Sequence, residues 1–357
     1  MSATPIAGRI WQKEALRAMT VQPGELEMED VAANIETHAD DGQVAIQGRS
    51  LGQLAWRRLR RDKVAMAGGV FIIFITLVAI LAHPLCHLYG EFPNTIHNFP
   101  PHDLLDQSTQ MPLGAYGGAD GTHWLGVTPG LANDVLANLI YGARTSLIVG
   151  VLATLLSVLL GVVTGVLAGF YRGFIDTVIS RTYDLLLSFP TLLFSLSLLT
   201  IFNVVPSFAG LSGVPLQFAV IIFVLGFFSF PYIGRIVRGQ VLSLREKEFI
   251  DAARSLGASN YRIMSREILP NLVGPILVYA TLSIPVNILG EAGLSFLGVG
   301  VPQGTPSWGK MLSDSSTYLP LDPLYLFAPG VLLFITVLAF NLFGDGLRDA
   351  LDPKSTR

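Results

Sequence analysis

"EFIDAARSLGASNYRIMSREILPN" (248–271) decides the fold, because it sets a charged, helix-forming segment between two apolar runs that are each long enough to cross a bilayer. Glu248, Asp251, Arg254, Arg262, Arg266 and Glu267 do not belong in hydrocarbon, whereas 185–234 before them and 268–290 after them hold no Asp, Glu, Lys or Arg. A chain that surfaces in this way between spans is an integral membrane protein. Composition agrees: 51% of the 357 residues are hydrophobic and 14% are charged, against about a quarter charged in soluble domains. A net charge of −3 gives no general basic field for nucleic acid, so that partner is excluded. The single cysteine, Cys86, cannot form an intrachain disulfide and reads as packing.

Stretches free of Asp, Glu, Lys and Arg cover 64–82, 145–171, 185–234, 268–290 and 323–344. A helix needs roughly 20 apolar residues to span the bilayer core. The 185–234 run therefore makes two spans, broken at "NVVPSFAGLSGVP" (203–215), whose Pro and Gly suit a tight turn. The result is an all-α protein of six transmembrane helices. A further uncharged stretch, "AGLSFLGVGVPQGTPSWG" (292–309), is too rich in Gly and Pro for a regular span and reads as non-spanning, a re-entrant candidate.

Orientation follows from Lys and Arg, which are retained on the cytoplasmic side. Six spans with both termini inside place Arg57, Arg58, Arg60, Arg61, Lys63, Arg172, Arg181, the 235–266 set, Arg348, Lys354 and Arg357 inside, and only Arg144 and Lys310 in outer loops. The domain reading is a mobile cytoplasmic tail over 1–50, a basic interfacial helix over 51–63, and a six-span membrane domain over 64–354. Within that domain the outer loop covers 86–143 and the cytoplasmic connection covers 238–268. The tail contains the acidic "GELEMEDVAANIETHADD" (24–41), and no apolar core marks it as a signal peptide. "LGQLAWRRLRRDKVA" (51–65) alternates Leu51, Leu54, Ala55 and Leu59 with basic residues, which suits a helix at the inner lipid surface or a plain basic flank.

The opening stretch itself reads as two short helices. Phe249, Ile250, Ala252, Ala253 and Leu256 give an apolar stripe, Gly257 suits a left-handed stop, and Ser259 is placed to cap the next helix, which meets Pro270 near the start of the fifth span. Such a projecting knob can dock in a groove of a partner protein.

At these residues the chain resembles a known family. "DAARSLGASNYRIMSREILP" is similar to the cytoplasmic signature loop of ABC importer membrane subunits, with Asp251, Ala252, Ala253, Gly257, Leu269 and Pro270 matching; Asp251 stands in place of the usual Glu, and Glu267 at a position often apolar. "HWLG" (123–126), "DVLANLIYGARTSLIVG" (134–150), "GEAGLSFLGVGVPQGTPSWGKML" (290–312) and "LAFNLFGDGLRDALDPK" (338–354) resemble the subfamily serving dipeptides, oligopeptides and nickel, in its C-type subunit. One departure is plain: Ala132, Asn133 and Asp134 stand where that subfamily usually reads Gly-Arg-Asp. The resemblance implies a type I importer-like fold, in which those matching residues form the coupling helix seated on an ATPase. It also implies a permease in the bacterial plasma (inner) membrane, pairing with a second related permease subunit, two ATP-binding subunits and an extracytoplasmic substrate-binding protein. The substrate it implies is a dipeptide or oligopeptide, with nickel or another small solute as the alternative; a non-transporting membrane receptor or scaffold is the further alternative.

The residues carry the mechanism some way on their own. No GxxxxGK[ST] loop occurs, so the chain is read as non-catalytic and binding no cofactor itself; the resemblance implies ATP and Mg on the partner subunits. The spans hold almost no ionisable groups, which argues against an ion-coupled carrier. Energy then enters through the knob, and two six-helix bundles rock between inward and outward openings. Glu291 stands at the outer end of the fifth span, as a pathway residue or an interfacial carboxylate. Asp184 reads as a helix-start acid. Pro190, Pro231 and Pro285 lie in or near spans, as gating kinks or tolerated prolines. His83, His87, His97, His102 and His123 share the first outer loop; no acid or cysteine completes a ligand set at recognisable spacing, so a solvated loop is favoured over a metal site. Gly150, Gly161, Gly165 and Gly169 are assigned to close helix packing.

Overall fold

The computed structural model describes residues 51–93, 95 and 104–352. The acidic tail, His97 and His102 lie outside them. In chain order the helices are α1 (Leu51–Leu59), α2 (Lys63–Ile80), α3 (Ala82–Tyr89), α4 (Val135–Tyr171), α5 (Gly173–Ser188), α6 (Thr191–Val204), α7 (Gly213–Leu244), α8 (Glu248–Ser255), α9 (Asn260–Phe296), α10 (Trp308–Ser316) and α11 (Pro323–Leu351). Five of them, α2, α4, α7, α9 and α11, are each long and apolar enough to cross a membrane, and the α5–α6 pair makes a sixth when taken as one bent span.

That third span differs from the straight helix expected from 185 onward. α5 begins at Gly173 and meets α6 at an angle of 82°. The break falls at Phe189 and Pro190, both extended, because proline lacks an N–H and drives its predecessor out of helical geometry. Asp184 consequently lies well inside α5 rather than at a helix start, and Asp176 occupies the first turn instead. Pro231 and Pro285, by contrast, are accommodated within continuous helices. The turn expected over 203–215 is a two-stranded hairpin, β1 (Ser207–Phe208) with β2 (Leu211–Ser212). Its loop residues Ala209 and Gly210 both take positive φ, the backbone that a two-residue hairpin requires.

α4 starts at Val135, so the outer loop ends about one helix turn-pair earlier than the last charged residue suggested. Asp134 fixes that start: its side chain accepts the N–H of Ala137, and Arg144 is carried on the exposed face of the helix. α4 then makes its most extensive pairing with α7. A Cβ on Gly161 would come within 2.8 Å of Ile233, on Gly165 within 2.7 Å of the Gly234 carbonyl, and on Gly169 within 2.7 Å of Val241. Glycine at these positions lets the two backbones approach and replace lipid contact by helix contact, the main packing term where water supplies no drive.

The 292–309 stretch divides. α9 continues to Phe296, an irregular 297–307 segment follows, and α10 completes it. Trp308 is fully buried and its Nε1–H donates to the Leu139 carbonyl at 3.2 Å, which ties α10 to α4. With nine residues α10 is too short to cross a bilayer. Because α9 runs from the 248–260 region to the 297–316 region, these two lie at opposite ends of the molecule; they are the knob end and the loop end below. At the knob end α1 packs its apolar side on α11, through Ala55, Leu59, Leu347 and Ala350.

Candidate functional site

The knob is α8 together with the start of α9. Glu248 and Asp251 occupy the first turn of α8 and Arg254 the last, the order that the helix dipole favours. α8 stops by a backbone device: the N–H of Gly257 bonds the Arg254 carbonyl at 2.9 Å and that of Ala258 the Ala253 carbonyl at 3.0 Å, with Gly257 at φ 79°. This paired closure needs a left-handed residue, which glycine supplies without Cβ strain. Ser259 then accepts the Arg262 N–H and opens α9.

The apolar stripe expected on α8 is two faces, not one. Ile250, fully buried, belongs to one core cluster with Phe170, Val237, Val241, Ile263 and Ile268, and Ala253 packs against that cluster. Phe249, Ala252 and Leu256, at i, i+3 and i+7, point away from the chain; Phe249 is 39% exposed and Leu256 89%. Tyr261 joins them at 77% exposure. Full burial of one such side chain stabilises by about 1.5–3 kcal/mol, a gain that Leu256 forgoes within this chain.

Asp251 and Ala252 lie on the exposed side of α8, while Ala253 and Gly257 hold it in place. Leu269 and Pro270 are not brought to that face. They lie further along α9, where Ile263–Ile268 is a π-helical turn and the Leu269 N–H reaches back five residues to the Met264 carbonyl. Pro270 has no N–H to continue the α ladder, and the wider turn absorbs that loss. The root of the knob is tied to the α4–α5 junction by Arg245, which donates to the Phe170 carbonyl, and by an exposed Arg172–Glu246 pair at 2.5 Å.

Sequence reasoning missed the ion pairs joining α5 to α7. Arg238 grips Asp176 with two bonds of 2.5 and 2.8 Å, and Arg235 meets Asp184 at 2.6 Å. Tyr183, buried between them, donates to Thr164 at 2.7 Å. The signal was present as acids on one segment and arginines on another, but only the fold pairs them. Beyond the bend a groove of about 500 Å³ lies between α6, α7 and α9, bordered by Ser195, Phe228, Tyr232, Asn287 and Gly290. Asn287 is held by Thr154 and Ser229 at 2.8 and 3.1 Å.

Glu291 does not line that groove. It is fully buried, and its carboxylate accepts Ser146 Oγ at 2.7 Å and Ser295 Oγ at 2.6 Å, so it joins α4 to α9 inside the chain. Two of the outer-loop histidines are likewise occupied: His83 Nδ1 is 3.2 Å from the Tyr141 hydroxyl and His123 Nδ1 is 2.9 Å from Asp134. Asp134 also accepts the Tyr89 hydroxyl at 2.9 Å, and burial pushes the Tyr89 phenol upward, with the Asp134 charge adding to it. Among the described residues no three His, Cys, Asp or Glu side chains gather as a metal site.

A bundle of membrane-crossing helices with an anchored, outward-facing helical knob and a small-residue core is the build of a transport permease. The chain belongs to the family described as binding-protein-dependent transport system inner membrane component, which matches residues 161–357. Residues 50–104 also match the N-terminal TM domain of oligopeptide transport permease C. Similar relatives are the glutathione transport system permease protein GsiD of Shigella flexneri serotype 5b, 39% identical over 84% of this chain and 89% of the relative, and that of Salmonella typhimurium, 40% identical over the same shares. Among solved structures, an inward-facing form of the MetNI methionine ABC transporter aligns with a TM-score of 0.49 at 20% identity, over 61% of this chain and 97% of that one.

Proposed function

We propose that this chain is the membrane-spanning, non-catalytic permease subunit of an ATP-driven importer for dipeptides or oligopeptides. It forms half of the translocation pathway beside a second, related permease subunit. Two ATP-binding subunits complete the assembly, one docking on this knob and the other on the knob of the partner permease, and an extracytoplasmic binding protein delivers substrate to the loop end. Both termini then lie in the cytoplasm of a bacterial cell. Asp251, Ala252, Ala253 and Gly257 form the coupling element, and Leu269 and Pro270 set the helix that carries its motion into the fifth span.

The observation that supports this most is the division of α8. Ile250 joins the helix to the buried cluster that α4, α7 and the start of α9 share, while Phe249, Ala252 and Leu256 remain uncovered. A push received on the outer face therefore reaches α7 and α9 through packed side chains rather than dissipating in a loop. The α6–α7–α9 groove supplies a wall on which a substrate can move, with hydroxyl and amide groups spaced along apolar rings.

Uptake of labelled dipeptide by cells with and without the chain, before and after ATP depletion, tests the reading. Loss of an ATP-dependent signal on deletion is expected; unchanged uptake overturns the peptide assignment. A second reading, glutathione as the peptide carried, is favoured by relatives that bear that name at 39% and 40% identity. Competition of labelled dipeptide uptake by glutathione distinguishes the two.

A further inference from the structure

At the loop end a second cavity, of about 490 Å³, opens between the 128–138 segment, the 303–306 stretch and α10. Its size lies within the range of roughly 300–1,000 Å³ typical of small-molecule sites. Its chemistry is polar and of both signs. Lys310 and Asp314, one turn apart on α10, place an ammonium and a carboxylate on one wall, 2.6 Å from each other. Asn133 and Asn138 line it from the 128–138 segment, and Tyr318 and Tyr325 add phenols. Asn133 is 8% exposed, and its Oδ1 has no hydrogen-bond partner among the described residues. A buried amide oxygen without a donor is uncommon, and it marks a place where a donor is missing.

We propose that this cavity is a reception site for short zwitterionic peptides, separate from the α6–α7–α9 groove. It rests on the peptide reading above. The peptide carboxylate meets Lys310, its ammonium meets Asp314, and a backbone N–H is accepted by Asn133. The Asn133 oxygen is shielded in the unliganded cavity, so the amide turns about χ2 to present it, a torsion with a broad and shallow profile. The Lys310–Asp314 pair must part to admit the peptide. Both side chains are partly exposed, and pairs of that kind hold weakly, so one ion pair is exchanged for two with little opposition. A cation alone would satisfy Asp314 and leave Lys310 without its partner, and an anion alone would do the reverse; a molecule carrying both charges satisfies both.

Equilibrium binding of radiolabelled dialanine to the whole transporter in nanodiscs, with the binding protein omitted, tests the site. Saturable binding is expected, weakened about tenfold or more by Asn133→Arg, whose longer side chain fills the cavity, and by Lys310→Met, which removes the exposed cation. Dialanine blocked at both ends should not compete. Wild-type binding that both variants retain in full overturns the proposal. So does absence of binding in a preparation that transports dialanine once the binding protein is added. A preparation that fails to transport dialanine even then removes the peptide reading and this site together.

Discussion

The stop of the knob helix and the outer loop use the left-handed backbone region differently. At the knob end α8 closes on Gly257, at φ 79°, with no atom within 4 Å of where a Cβ would stand. In the outer loop the same left-handed region is occupied by glycines such as Gly114, Gly117 and Gly126 and also by three residues that carry a Cβ, Gln110, Tyr116 and Ala132, at φ 57°, 54° and 52°. Polar groups follow the same division. Knob acids and arginines lie on the surface, whereas Asp134, His123 and Asn133 are buried beside the loop. The knob is thus a regular element whose unusual feature is what it leaves uncovered. The loop is an irregular element whose unusual features are enclosed. The exposed face of α8 is carried on a relaxed backbone, while the loop beside the cavity encloses these polar groups and the left-handed Ala132.

The largest effect expected from this contrast comes from the uncovered face. Leu256→Asp changes a side chain that touches little of its own chain, so folding and membrane insertion should be unaffected. ATP-dependent uptake should fall about thirtyfold or more, the scale of losing a central interface anchor. Wild-type uptake in this variant would mean that the knob meets no partner there. Gly257→Val attacks the same surface from within. A β-branched residue is strained at positive φ, so α8 should lose its stop and swing its exposed face out of register. Uptake should drop about tenfold or more while ATPase subunits remain bound to the membrane fraction more weakly than to wild type.

Next in size is the interior that both ends share. Gly165→Leu would force a side chain against the Gly234 carbonyl and Val237, where even Cβ finds 2.7 and 2.8 Å. Overpacking of this kind costs about 1–3 kcal/mol, read as a lower melting temperature of the purified complex. Gly239→Leu, on α7 with open space around it, is the matched control and should change little. Equal effects from both would show that the α4–α7 contact is not the tight one.

How much of this was legible in the sequence depends on range. Spans, knob, Gly257 stop, Ser259 cap and glycine packing stripe are set by local residues and were read from them. The third span starts earlier than the charge-free run because Asp176, Arg181 and Asp184 lie inside α5, and the bend at Pro190, a candidate kink from sequence, is 82°, an angle a hydropathy run does not report. Asp184 was given a local role because its partner, Arg235, is 51 residues away. Glu291 reads from sequence as a pathway residue or an interfacial carboxylate, and the structure makes it neither: the hydroxyls that satisfy it come from Ser146 and Ser295, the first of them 145 residues distant. The 135–144 start of α4 was hidden by Arg144, which one helical face can carry at an interface while the rest is buried. Each of these misses is a pairing or an angle across the chain, not a local preference.

The smallest effect decides whether the two left-handed sites truly differ. Left-handed backbone costs a residue with a Cβ about 1–2 kcal/mol, so Ala132→Gly would appear stabilising. Two terms oppose it. Glycine gives up about 0.5–1 kcal/mol in conformational freedom on folding, and the Ala132 methyl is buried against Leu105 and Val127, a loss of about 0.8 kcal/mol for one such group. The terms nearly cancel, and the melting temperature should move by only a degree or two, of either sign. Gly257→Ala gains no buried methyl, since that position is open, so its strain is offset by the entropy term alone and it should be the more destabilising of the pair. A clear rise in stability for Ala132→Gly would mean that the loop holds Ala132 at a cost the buried methyl does not repay, and the cavity beside Asn133 would then be kept open by strain as well as by packing.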